Sequence, residues 1–216
     1  MVRSGKLAAW IALVGTLAAL NYASRIASGK PPADTLYKYS TAISGLVFYA
    51  LALGILLLIA RGLTRAELGL RAPASWPAAI GFALLVLIAL LIAEVALESV
   101  LHGTREQGLE PTHWEPSKAV PFAFNAAVVI LAAPLVEEFT YRGVGFALIV
   151  PVGSLAAVVG TALAFAADHG LVEGFPALFV FGLGVAIVRL RTGSIYPGML
   201  LHACFNALAL AEAFAR

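Results

Sequence analysis

The stretch LAAPLVEEFTYRG, residues 131–143, sets two adjacent glutamates and an arginine within an otherwise apolar helix. The preceding residues 119–136 include nine Val, Ile, Leu or Phe side chains, which together favour membrane insertion by about 3 to 5 kcal/mol. Glu137, Glu138 and Arg142 would each cost about 2.5 to 3.5 kcal/mol if they faced lipid near the bilayer centre. Since the charges outweigh the apolar residues, they are predicted to face the protein interior. Ionisable groups at such a place indicate a functional site.

Helical geometry separates the two glutamates. At about 100° per residue, Glu138 and Arg142 lie on one face with the acid first, which is the favoured order for an ion pair. Glu137 points about 140° away from Arg142 and shares its face with Tyr141. Glu138 is therefore predicted to be neutralised by Arg142 within its own helix, while Glu137 is predicted to face another group. A salt-bridged helix end at the lipid headgroups is the alternative interpretation of this stretch alone.

Composition indicates a membrane protein. The 216 residues are 61% hydrophobic and 12% charged, with a mean hydropathy of +0.94, which is outside the range of ordinary soluble domains. The net charge of +2 does not indicate a nucleic-acid partner. The single cysteine, Cys204, excludes an internal disulfide and a multi-cysteine metal cluster. We predict a multi-pass protein of a bacterial or archaeal cytoplasmic membrane.

The apolar runs predict an all-α, polytopic transmembrane helix bundle of about seven spans, within a range of six to eight. No repeat or composition shift divides the chain, so residues 1–216 are predicted to form a single domain. The fourth span is too long for a perpendicular crossing and is predicted to tilt, to bend at Pro134, which frees the carbonyl four residues back, or to project beyond the bilayer. The predicted spans are residues 7–27, 41–60, 77–98, 119–149, 154–169, 176–190 and 195–214.

Two pairs of polar residues outside the fourth span have simple interpretations. Glu94 and Glu98 share one face near the end of the third span. A helix end in the headgroup region explains them, and a substrate-facing or proton-handling role is the alternative. His102 and His113 are predicted to be solvated loop histidines.

Further polar groups recur at the ends of late spans. His169 follows Phe165 by four residues at the end of the fifth span, and His202 and Asn206 lie four apart on one face of the seventh. Each alone fits capping, an interfacial position or interhelical hydrogen bonding. Together with Glu137 they suit the attack of water on an amide. A carboxylate takes the proton, an imidazole holds or shares it, and a carboxamide and a ring N–H stabilise the oxyanion.

These residues resemble a known family. They match, in order, the motifs E-E-x-x-x-R, F-x-x-x-H and H-x-x-x-N of the CPBP or Abi family, the CAAX-prenyl protease type II proteins and their bacterial relatives. The match covers roughly residues 119–210. It implies an intramembrane glutamic endopeptidase that cleaves near the C-terminus or membrane anchor of its substrate. The implied catalytic residues are Glu137 and His169, which activate water, and His202 and Asn206, the oxyanion donors, with Glu138, Tyr141, Arg142 and Phe165 in support.

The resemblance also sets the expected partners. Family substrates include prenylated CAAX proteins, while bacterial members act in bacteriocin processing, immunity and the processing of C-terminal anchors. The expected partners are therefore a protein or peptide substrate, lipidated or membrane-anchored, and membrane lipid, with no nucleic acid.

No cofactor is predicted, but two other chemistries stay open. Zinc bound by Glu137, His169 and His202 is one, although no H-E-x-x-H is present and Asn206 is a poor zinc ligand. A thiol protease built on Cys204 is the other, and it is disfavoured because Cys204 points about 200° around the helix from His202 and Asn206.

A non-enzymatic function is the alternative class. A membrane immunity protein, scaffold or transporter would use the buried charges for packing or proton coupling. In that case, Glu137→Gln would spare function or alter transport without any peptide product.

Overall fold

A computed structural model of the chain describes residues 2–101, 106 and 114–212. Short 3₁₀ turns at Thr35–Tyr37 and Pro116–Lys118 precede the second and fourth helices. The predicted fold class, an all-helical transmembrane bundle, is confirmed over the described residues. The long helices are α1 (Val2–Ser28), α2 (Tyr39–Ile59), α3 (Trp76–Leu101), α4 (119–149), α5 (Ser154–Asp168), α6 (Phe175–Thr192) and α7 (Tyr196–Glu212).

The helices fall into two length classes. In the described part of the chain, α1, α2, α3, α4 and α6 are long and apolar enough to cross a membrane. In contrast, α5 has 15 residues. At about 1.5 Å per residue it is about 22 Å long, shorter than the roughly 30 Å of hydrocarbon. His169 follows directly after this short helix, and His202 and Asn206 lie on α7.

Two predictions fall partly or wholly outside the described residues. Residues 213 and 214 of the seventh predicted span are among those not described, as are the loop histidines His102 and His113. The single-domain organisation of residues 1–216 stays a prediction.

The bundle is apolar on its outer surface and charged at points inside. Leu51, Leu85 and Ile92 are 65%, 67% and 66% exposed, whereas Glu138 and Arg142 are fully buried. This distribution is unfavourable in water but expected in lipid, where charged groups turn inward. The chain is therefore a multi-pass membrane protein.

Helix α4 is not a regular α-helix. It adopts π-helical geometry over Val128–Ala132 and again over Phe139–Gly145. At the first π turn the N–H of Ala133 donates to the carbonyl of Val128, five residues back. The next residue, Pro134, has no N–H, so in this register it leaves the carbonyl of Val129 without a partner from its own helix. The prediction that Pro134 frees the carbonyl four residues back assumed a regular α-helix, which this turn of α4 is not.

Close contacts through small residues hold α4 against α1. Trp10 on α1 is 2% exposed, and its Nε1 donates to the carbonyl of Thr140 at 3.0 Å. A methyl group added at Gly145 would lie 2.7 Å from Trp10 Cε2, which is closer than packed carbon atoms approach. The indole therefore requires glycine at this turn of α4.

We expect Gly145→Ala to lower stability by about 1 to 3 kcal/mol, because the rigid indole cannot move without breaking its hydrogen bond. Gly81→Ala is the matched control, since nothing lies within 4 Å of a methyl group at that position of α3. Its expected thermal midpoint is unchanged or slightly higher, because alanine favours helix by up to about 1 kcal/mol. Thermal unfolding of both variants in one detergent makes the comparison. Equal midpoints would contradict the proposed Trp10 contact.

Candidate active site

One cavity brings the predicted catalytic side chains together. It has a volume of about 690 Å³, and its walls come from α1, α2, α3, α4, α6, α7 and the end of α5. Glu137, His169, His202 and Asn206 all line it. Groups from three separate parts of the sequence therefore face a common space.

The cavity opens toward one end of the bundle. From Glu137 its walls continue to the ends of α1 and α3 and to the start of α6. Arg25, Glu94, Glu98 and Glu173 line this outer part. Glu94 and Glu98 thus lie near the end of α3 and also on the wall of the cavity.

Tyr49 holds one carboxylate oxygen of Glu137, and the other oxygen faces His202. The hydroxyl of Tyr49, on α2, donates to Glu137 Oε1 at 2.9 Å. Glu137 Oε2 lies 3.8 Å from His202 Nε2, and the side chain keeps 16% exposure. The second distance is longer than a hydrogen bond, so Oε2 faces the imidazole without being engaged by it. This carboxylate has one oxygen fixed and one directed to the cavity.

Glu138 forms the buried charge pair that its spacing predicts. Arg142 Nη1 lies 3.1 Å from Glu138 Oε1, and both side chains have no exposure. Arg142 Nη2 also donates to the carbonyl of Gly182 on α6 at 2.8 Å. His202 Nδ1 lies 3.0 Å from the same Glu138 oxygen. Because a carboxylate accepts hydrogen bonds, the imidazole donates its Nδ1–H to Glu138.

His169 caps α5 with a defined tautomer. Its Nδ1 lies 2.8 Å from the carbonyl of Phe165, which can only accept, so Nδ1 carries the proton. In the neutral ring Nε2 is then left as a proton acceptor. The Phe165 ring lies 4.6 Å from the His169 ring and 4.8 Å from the Arg142 guanidinium carbon. Phe165 thus spaces the histidine from the charge pair.

Asn206 is tied to the irregular part of α4. Its Nδ2 donates to the carbonyl of Val129 at 2.8 Å, which is the oxygen left over by Pro134. A carboxamide nitrogen carries two hydrogens, so this bond uses one of them. The proline break in α4 therefore orients the Asn206 amide in the cavity.

The cavity wall also contains the carboxylate of Asp168, which was not predicted as a site residue. Asp168 accepts a hydrogen bond from Tyr141 at 2.6 Å and one from Asn21 at 3.3 Å. Asn21 also donates to the Asp168 backbone carbonyl. Tyr141, predicted only as a supporting residue on the Glu137 face, acts here by fixing the end of α5. A carboxylate directly before a histidine in an apolar span was the available signal for Asp168.

The residues fit a metal ion poorly. Among the residues that the structure describes, no group of three or more His, Cys, Asp or Glu side chains is arranged to hold one. The zinc alternative on Glu137, His169 and His202 thus receives no support from the geometry. Cys204 is exposed on the outer face of α7 and does not line the cavity.

The fold and cavity define a polytopic membrane protein with a polar, enzyme-like centre buried among its helices. Residues 119–208 match the family model described as type II CAAX prenyl endopeptidase Rce1-like. Over this segment the chain is similar to the CAAX protease-like proteins of the CPBP or Abi family, and the resemblance seen in its motifs is confirmed. Comparison with curated proteins and with solved structures gave no match. The family indicates a CAAX-type intramembrane protease acting on a protein or peptide.

Proposed function

We propose that this protein is an intramembrane endopeptidase of the glutamic type, which hydrolyses a peptide bond near the C-terminus or membrane anchor of its substrate. The observation that carries the proposal is the convergence of Glu137, His169, His202 and Asn206 on one cavity. An ionisable group inside a membrane bundle is retained for function. Here a carboxylate, two imidazoles and a carboxamide together match the needs of amide hydrolysis.

Glu137 acts as the general base. Tyr49 occupies Oε1, so Oε2 takes a proton from water while the water oxygen bonds to the substrate carbonyl carbon. The carbonyl electron pair moves to its oxygen and creates the oxyanion. His169 Nε2, the acceptor nitrogen of its ring, shares the proton and passes it to the substrate nitrogen. The oxyanion electron pair then re-forms the carbonyl and the C–N bond breaks, which gives a carboxylic acid and an amine.

His202 and Asn206 stabilise the oxyanion. Because His202 donates Nδ1–H to Glu138, its Nε2 is the ring nitrogen on the side of Glu137, and a proton on Nε2 is donated to the oxyanion. Asn206 supplies its second amide hydrogen. Loss of one such donor typically lowers the rate about 10² to 10³-fold.

The substrate is a protein or peptide held within or next to the membrane. The cavity has mostly apolar walls and a charged outer part with Arg25, Glu94 and Glu98. A lipidated or membrane-anchored segment fits this arrangement, with its apolar part toward the lipid. The bond that is cut is the one that the bound substrate places beside Glu137.

The test is peptide cleavage with and without a chelator. Purified protein in detergent is incubated with quenched fluorescent peptides that carry C-terminal CAAX or anchor-like sequences, prenylated and unmodified. We expect cleavage that persists in EDTA and in 1,10-phenanthroline, because the reaction uses a carboxylate base and no metal. Loss of activity with chelator and its return with zinc would contradict the glutamic mechanism, and no product from any peptide would favour a non-enzymatic role.

A further inference from the structure

Tyr49 brings a hydroxyl into the cavity from a helix that otherwise looks purely structural. The 21 residues of α2 contain no charged side chain, and the helix lies outside the family-matched residues 119–208. The Tyr49 hydroxyl is nevertheless 2.9 Å from Glu137 Oε1. The first half of the chain therefore contacts the carboxylate to which the proposed function assigns proton transfer.

This hydrogen bond decides which oxygen of Glu137 is presented. The last torsion of a glutamate side chain is broad and roughly two-fold, so an unrestrained carboxylate exchanges its oxygens freely. With Oε1 accepting from Tyr49, Oε2 is left on the side of His202, 3.8 Å from Nε2. The proton acceptor and an oxyanion donor are thereby placed side by side.

Building on the proposed function, we infer that Tyr49 is a positioning residue for the hydrolysis. Its hydroxyl orients Glu137 so that Oε2 receives the proton of the attacking water beside His202. Tyr49 acts through Glu137 and touches no reacting atom. The N-terminal part of the chain therefore completes the active site rather than only enclosing it.

The ring and the hydroxyl of Tyr49 have separable roles. The ring packs against the hydrophobic core and lies 5.6 Å from the Phe48 ring. Phenylalanine would keep these contacts and remove only the bond to Glu137. Tyr39, on the same helix, is the matched control because it is 52% exposed and does not line the cavity.

The pH dependence of the reaction reports on this bond. The hydrogen bond is made to the carboxylate that takes the proton, so its removal is expected to change the pH profile of the rate. Other groups on the surrounding helices stay the same in the Tyr49→Phe variant. The titratable or charged groups near Glu137 are Glu138, Tyr141 and Arg142 on α4, Asp168 and His169 at the end of α5, and His202 on α7.

The experiment measures kcat, KM and the pH profile of four proteins on one cleavable peptide: wild type, Glu137→Gln, Tyr49→Phe and Tyr39→Phe. For Tyr49→Phe we expect kcat to fall about ten- to a hundredfold, the effect of one hydrogen bond to a charged group, with KM within about twofold. The pH profile is expected to differ from that of the wild type. Tyr39→Phe is expected to match the wild type in all three measurements.

A 3,5-difluorotyrosine at position 49 keeps the hydroxyl and makes it a stronger donor. We expect this protein to recover kcat relative to Tyr49→Phe. If Tyr49→Phe does not fold, the deciding measurement is the kcat of the difluorotyrosine protein relative to the wild type, because a stronger donor to Glu137 changes kcat and a purely structural ring does not. Tyr49→Phe with the rate and pH profile of Tyr39→Phe would overturn the inference while leaving the proposed function intact. Inactive wild type, or an active Glu137→Gln variant, would instead overturn the proposed function.

Discussion

We expect replacement of Glu137 by glutamine to abolish peptide cleavage and to leave the helical bundle folded. Glutamine has nearly the same size, and its amide oxygen still accepts the hydrogen bond of Tyr49. It has no carboxylate, so it cannot take a proton from water. General-base catalysis contributes about 10² to 10⁴-fold to rate, and we expect a loss at or above the upper end. Initial rates on a quenched fluorescent peptide measure it, and thermal unfolding checks the fold.

The control is the same change outside the cavity. Glu115 lies before α4 and pairs with Lys118 at 2.8 Å, so Glu115→Gln is expected to keep wild-type activity. Residual activity of Glu137→Gln within tenfold of wild type would exclude Glu137 as the base. The inactive variant also serves as a trap, because bound substrate is released unchanged and can be identified by mass spectrometry.

The second large effect is expected from breaking the charge pair of α4. Arg142→Met leaves the Glu138 carboxylate fully buried, with His202 as its remaining partner. Leaving a buried charge without its partner typically costs about 3 to 5 kcal/mol, a large fraction of the stability of a small protein. We expect a marked fall in the thermal midpoint in detergent. Activity is expected to fall with it, since Glu138, which orients His202, loses the arginine that fixes its position.

Two further variants separate charge from packing. Adding Glu138→Leu to Arg142→Met removes both charges, and part of the lost stability should return because buried pairs replaced by apolar residues are often tolerated. Lys38→Met breaks the exposed Asp34–Lys38 pair, whose members are 46% and 48% exposed, and little change in the midpoint is expected. If Arg142→Met and Lys38→Met unfolded at the same temperature, the buried pair would have no structural importance.

Much of the fold was predictable because the physics is local. Runs of about twenty apolar residues indicate spanning helices regardless of the rest of the chain, and the predicted spans overlap α1 to α7. The Glu138–Arg142 pair was also predictable, since both residues lie on one helix at a fixed spacing. The π turns of α4 were not predictable. One precedes Pro134 and contains the carbonyl bonded by Asn206, and the other contains the carbonyl bonded by Trp10.

The remaining site residues could not be predicted because they are far in the sequence from the groups that they contact. Tyr49 is 88 residues from Glu137, and Asn21 is 147 residues from Asp168. A tyrosine in an apolar span or an asparagine near a helix end is an ordinary residue for its place. Only the packing of α1 and α2 against α4 and α5 shows that their polar groups reach carboxylates.

The sequence by itself determined that this protein spans a membrane and that its buried charges turn inward, and it predicted the three motifs as the source of the groups for amide hydrolysis. Those inferences follow from the transfer energies of side chains, from helical spacing and from the resemblance of the motifs. Only the tertiary structure decided which oxygen of Glu137 is free, which ring nitrogen of His202 donates a hydrogen bond, and which helices form the cavity. Each of these features depends on a hydrogen bond or a cavity wall formed by helices that are remote in sequence, so no local pattern predicts it.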